Sequence, residues 1–127
     1  MNNKYIINGD GTITDNSTHL MWQQETVGPM TWAEAVEYCR NLRLGRYDNW
    51  RLPGRKDLFS LLDDDRYNPS INLVYFPNTL LSYYWSSTTY AGSTNVAWCV
   101  YFNDGFVNGI GYKSSAYYVR AVRSGQD

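Results

Sequence analysis

The chain has 127 residues and a formal net charge of -1. That length suits a single domain, residues 1–127, burying roughly two thirds of the unfolded chain's surface in one core. The near-neutral charge gives no electrostatic case for nucleic acid or an anionic membrane. No apolar run approaches a membrane span, and residues 1–11 lack a secretory h-region, so location is left open and display on a surface or virion would need a partner.

In chain order, residues 4–14 predict two short strands around the turn residues Asn8, Gly9, Asp10 and Gly11. Asp15, Asn16 and Ser17 form another turn, and residues 20–23 a short half-buried strand. His19 lies between them and is expected at the surface. Pro29 ends whatever precedes it. Thr31 and Glu34 have the spacing of a capping box, so a helix runs over 32–42 with Trp32, Ala35, Val36, Cys39 and Leu42 as its buried stripe. Gly45 is placed to serve in its exit.

Trp50, Arg51, Leu52 and Pro53 lead to a second helix over 54–64 with Leu58, Leu61 and Leu62 inward. Asp63, Asp64 and Asp65 read as a solvated helix exit, since their spacing does not match a calcium loop. Residues 66–81 predict a long ordered loop. Residues 84–88 are β-prone, and Ala91, Gly92 and Ser93 form a turn. Residues 118–123 predict one last amphipathic strand covering a sheet edge. Helices followed by a run of strands give an α+β fold class, with two helices packed on an antiparallel sheet and long ordered loops.

The stretch from Val96 to Tyr118 organises the rest. Trp98, Val100 and Phe102 alternate with Cys99, Tyr101 and Asn103, and a period of two puts the sets on opposite sheet faces. Asp104-Gly105 supplies a hairpin reversal. Of 12 Tyr, seven lie from position 83 on, whereas all five Trp precede Cys99. One face is therefore bulky and apolar, and the other is rich in Tyr, Asn, Ser and Gly, the make-up of antibody-like binding surfaces. The same composition also suits a solvated face with ordinary loops. Cys39 on a helix and Cys99 on this mixed face do not face each other, which argues for two buried or free thiols rather than a disulfide.

Four phrases carry a resemblance: DGTITDNSTHLMWQ at 10–23, WRLPGRKDLFSLLD at 50–63, YWSSTTY at 84–90 and YVRAVRSG at 118–125. Together they resemble the C-terminal domain of bacterial collagen-like adhesins and the variable proteins of diversity-generating retroelements, both of C-type lectin-like fold. In the retroelement group a reverse transcriptase rewrites adenine-rich codons near the end of the gene. The resemblance implies a variable region of about 96–118. Its ligand-binding positions would be Cys99, Tyr101, Asp104, Phe106, Asn108, Ile110, Tyr112, Ser114, Ser115 and Tyr117, with all of 108–112 similar to diversified positions. Ala97, Trp98, Val100, Phe102, Gly105, Val107, Lys113 and residues 118–123 are similar to fixed positions. In this picture Trp98, Val100 and Phe102 pack inward with Trp22, Trp50 and Trp85. The phrase departs from the family at Gly54, where Thr usually caps the second helix; Gly is a weaker but tolerated cap.

The function expected is recognition of a protein or surface-polymer ligand by a Tyr-rich face. An alternative is an adhesin-type lectin domain binding glycans on a cell surface. For sulfated glycans the face offers only Lys113, and the oxygens of a calcium site cannot be assembled around Phe76-Pro77-Asn78 or Phe102-Asn103-Asp104. Neither a reactive thiol pair nor a Ser-His-Asp set emerges, so no enzyme activity, metal or cofactor is expected.

Overall fold

The computed structural model describes residues 4–62, 71–80, 82–102 and 109–124. Two sheets and two helices form an α+β arrangement among them. The first sheet begins with strands β1 (Tyr5–Ile7), β2 (Thr12–Asp15) and β3 (Leu20–Gln23). The β1–β2 reversal places Gly9 and Gly11 at φ of +86° and +88°, a left-handed conformation that Gly adopts without a Cβ penalty. The Asp15 carboxylate then accepts from the Ser17 N–H at 2.9 Å and its hydroxyl at 2.8 Å, closing the second turn.

Strand β4 (Val27–Met30) was not expected, because Pro29 reads as a stop. Pro29 is accommodated because β4 is a sheet edge with a register shift, one of the few places a strand tolerates proline. Helix α1 (Trp32–Asn41) starts as the capping box predicts: the Glu34 carboxylate accepts from the Thr31 N–H at 2.9 Å, and the Thr31 hydroxyl accepts from the Glu34 N–H at 3.4 Å. Its exit passes through Gly45 at φ +62°.

Helix α2 (Arg55–Phe59) is shorter than the expected 54–64. Beyond Phe59 the chain tightens: Leu61 N–H donates to Leu58 O at 3.1 Å, and the Ser60 hydroxyl takes Asp57 O at 2.6 Å, competing with continued helix. At its start, the hydroxyl missing from Gly54 is replaced from another element. Thr88 Oγ accepts from the Arg55 N–H at 2.9 Å, and the Asp57 carboxylate accepts from the Gly54 N–H at 2.8 Å.

Strands β5 (Tyr83–Thr89), β6 (Val96–Tyr101), β7 (Gly109–Tyr112) and β8 (Tyr117–Val119) join β4 in a five-stranded sheet of order β4-β8-β5-β6-β7. Its β5–β8 pair is parallel, so the sheet is mixed rather than wholly antiparallel. Strand β9 (Val122–Ser124) pairs instead with β3, completing the first sheet as β1-β2-β3-β9.

The single last strand expected over 118–123 is therefore two strands in two sheets. The break falls at Arg120, expected to face solvent and found 1% exposed. Its guanidinium donates to the carbonyls of Gln23, at 2.9 Å, and Gln24, and to the hydroxyls of Thr26, at 3.1 Å, and Thr79, at 2.8 Å. It also lies 4.8 Å from the Phe76 ring centre. Burial pulls this arginine down to about 10, so it stays a cation at neutral pH. One buried cation thus ties the segment 23–26, the loop 76–80 and the β8–β9 crossing together through carbonyl and hydroxyl oxygens.

The core lies in two parts. Trp22, Leu58, Phe76, Tyr84, Val100 and Phe102 form one cluster. Ala35, Cys39, Trp50, Leu52, Trp85, Ala97 and Cys99 form the other. Trp50 and Trp85 therefore pack on the side away from Val100 and Phe102, which corrects the expected common core. Substituting Arg120→Met should cost roughly 3 kcal/mol in urea unfolding, because it strands buried carbonyls and hydroxyls. A loss below about 1 kcal/mol would mean the oxygens find other donors.

Candidate ligand-binding site

Strand register decides which of the expected binding residues share a surface, since directly paired residues point to the same face. Tyr83 pairs with Tyr101 and Trp85 with Cys99. Cys99 also pairs with Gly109, and Ala97 with Gly111. These belong to the face packed against α1 through the second core cluster. Trp98 pairs with Ile110 and Val96 with Tyr112, which places Ile110 and Tyr112 on the opposite face, with Val100. The expected set is thus divided between two faces.

On the α1 face, Cys99 is 1% exposed, so the expectation that it reaches solvent is corrected. Strand β6 is interior to its sheet and covered on both sides, and the small side chains at Ala97 and Cys99 leave room for the fully buried Trp85 ring. A continuous apolar run from Val96 to Val100 is the pattern of such a strand and could have signalled it. Cys39 and Cys99 are both free and buried, and burial pushes each thiol up to about 12.

Further along the same face, four rings form a row. Tyr101 stacks on Tyr83 at 4.9 Å and 27°. Tyr83 meets Tyr117 at 5.4 Å, and Tyr117 meets Trp85 at 4.8 Å. Tyr101 and Tyr117 are half-buried within this row. The row also explains two glycines. A Cβ at Gly109 would stand 2.8 Å from the Tyr83 ring, and one at Gly111 would collide with the Tyr117 ring. Gly109 and Gly111 thus lie close under the rings that cover them.

On the other face, Ile110 is 48% and Tyr112 68% exposed. Ser114 is exposed and Ser115 half-buried in the turn after β7, where the Ser115 N–H donates to Tyr112 O at 2.8 Å. Lys113 reaches back to the α1 side of the molecule, 4.0 Å from the Trp32 ring centre and 2.9 Å from the Thr89 hydroxyl. Asp104, Phe106 and Asn108 lie outside the described residues, as do the hairpin pair Asp104-Gly105 and the run Asp63, Asp64 and Asp65.

Trp98, expected in the core, is only half-buried. It meets Tyr90 edge-on at 5.4 Å and carries the Arg55 guanidinium 3.7 Å above its ring centre. Sequence reasoning missed Arg55, Thr88 and Tyr90, because a helix start and a strand end meet here from distant parts of the chain. Among the described residues no group of three or more His, Cys, Asp or Glu is placed to hold a metal ion, and no helix is long and apolar enough to cross a membrane.

Two measurements follow from this geometry. Native protein at pH 8 should leave both thiols unreactive towards a disulfide reagent such as dithionitrobenzoate, and both should react once guanidine unfolds it; rapid native labelling of either would contradict their burial. The raised thiols favour the folded state below about pH 9, and that contribution fades as pH climbs toward 12. Gly111→Ala should cost about 1–3 kcal/mol through overpacking against Tyr117, whereas Tyr112→Ala should shift stability by only about half a kcal/mol. Equal costs would refute the division of the strand.

No curated protein matches the chain. The family model described as the Lcl C-terminal domain matches residues 11–123. The chain belongs to the Lcl C-terminal domain family and is, at that level, a lectin-like binding domain.

Proposed function

We propose that this domain is a non-catalytic recognition module of C-type lectin-like fold, displaying exchangeable side chains on the β7 strand and its flanking segments, diversified by a retroelement. The observation that supports it most is the contrast inside β7. Ile110 and Tyr112 stand free of the core at 48% and 68% exposure, while Gly109 and Gly111 between and beside them are fixed by aromatic rings. Surface side chains of the first kind can change with little effect on stability, and a rigid scaffold beneath them keeps the backbone in place. The working surface in this proposal is Ile110, Tyr112 and Ser114, with Tyr101 on the far side of the sheet as a separate contact. Its partner is a protein or surface polymer, because an open Tyr-bearing strand offers contact area rather than an enclosing cavity. The buried, protonated thiols support a role without covalent chemistry.

A displayed library tests it. Randomising Ile110, Tyr112 and Ser114 together should leave most members folded and yield binders when selected against a protein antigen. Randomising Cys99, Val100 and Phe102 should unfold most members. If the first library loses folding as badly as the second, the exchangeable surface is not where it is placed here.

A further inference from the structure

A groove of about 460 Å³ runs beside the start of α2, lined by Gly54, Arg55, Lys56, Asp57, Phe59 and Thr88. None of these residues belongs to the surface proposed above. Arg55 is its main polar group. The guanidinium carbon lies over the Trp98 ring, 3.7 Å from its centre, and 5.1 Å from the centre of the Phe59 ring. A ring stacked on a guanidinium face leaves the in-plane N–H groups unused. Arg55 Nε is shielded from solvent and has no acceptor among the described residues.

The carboxylate nearest in sequence does not fill this role. Asp57 is taken by Arg51 at 2.8 Å and by the Gly54 N–H at 2.8 Å. The other ring-stacked arginines donate to protein oxygens from their outer nitrogens or from Nε, although Arg120 Nε, like Arg55 Nε, has no partner among the described residues. Arg120 donates to four protein oxygens, and Arg123, 3.7 Å from the Tyr47 ring centre, donates from Nε to Asn49 Oδ1 at 2.7 Å. Arg55 resembles them in its aromatic packing, but its side chain donates to no acceptor among the described residues. Lys56 adds a second positive charge at the same rim.

We infer that this groove binds an acidic peptide segment of a partner protein, with a Glu or Asp carboxylate docked edge-on against Arg55 and a neighbouring apolar side chain laid along Phe59. The planar fork of one guanidinium matches a single carboxylate in two parallel hydrogen bonds. A sulfated polysaccharide would call for a row of cations along its length, and the groove offers Arg55 and Lys56 alone among its lining residues. Stacking on Trp98 and Phe59 restricts the arginine before binding, which lowers the entropy lost on docking.

The probes are acetylated, amidated tetrapeptides of sequence Phe-Glu-Phe-Glu and Phe-Gln-Phe-Gln, and a heparin-derived hexasaccharide, titrated into the folded domain while the Trp98 indole N–H is followed by NMR. The Glu peptide should bind at least tenfold tighter than the Gln peptide. Arg55→Gln should abolish that difference while the melting temperature confirms the fold. Arg55→Lys, which keeps the charge and loses the fork, should recover only part of it. Equal affinity for the two peptides, unaltered discrimination in folded Arg55→Gln, absence of saturable binding, or preference for the hexasaccharide would each overturn the inference. Because the site uses none of the side chains randomised in the library above, its failure leaves that proposal standing.

Discussion

The pairing of β5 with β6 is the constraint on which the rest of this structure depends. It sets Trp85 opposite Cys99 on one face and Tyr84 opposite Val100 on the other. Each pair sits in a different core cluster, so a single two-strand ladder holds two hydrophobic interiors in register. A slip of one residue would exchange the contents of the two clusters and fit neither. The aromatic row on one side and the Trp98–Arg55 stack on the other both inherit their positions from this ladder.

Around it, polar groups take over where hydrophobic contact cannot reach. Arg120 bridges three separated segments through carbonyl and hydroxyl oxygens, and Arg123 joins β9 to Asn49 and Tyr47. Thr88 supplies from a strand the hydroxyl that a helix start lacks. The long connections of the fold are thus held by specific donors and acceptors that a hydropathy pattern cannot register.

The parts legible beforehand were those governed by local rules. The Thr31–Glu34 box placed α1 because capping is settled within one turn of chain. The α+β class followed from element order, and the alternation along β6 correctly separated Cys99 from Val100. What alternation could not reveal is that both faces are covered, since burial depends on which elements later pack there. Strand β4 was missed because a proline's meaning changes at a sheet edge. The last strand was drawn whole because Arg120 reads as a surface residue until its four distant acceptors are brought together. Of the candidate site, Ile110 and Tyr112 were found as exposed residues, but their assignment to a common face with Tyr101 failed at the β6–β7 register. The reversal expected at Asp104-Gly105 lies outside the described residues, while the observed ladder pairs Cys99 with Gly109.

The interlock of Gly111 beneath Tyr117 has a consequence for heredity. The constraint runs one way: a bulkier side chain at 111 asks for a smaller or displaced one at 117, whereas 117 can lose bulk beside a glycine without any change at 111. Bulk at 111 would then appear mainly where 117 has already become smaller, an ordered dependence absent from independently mutating sites.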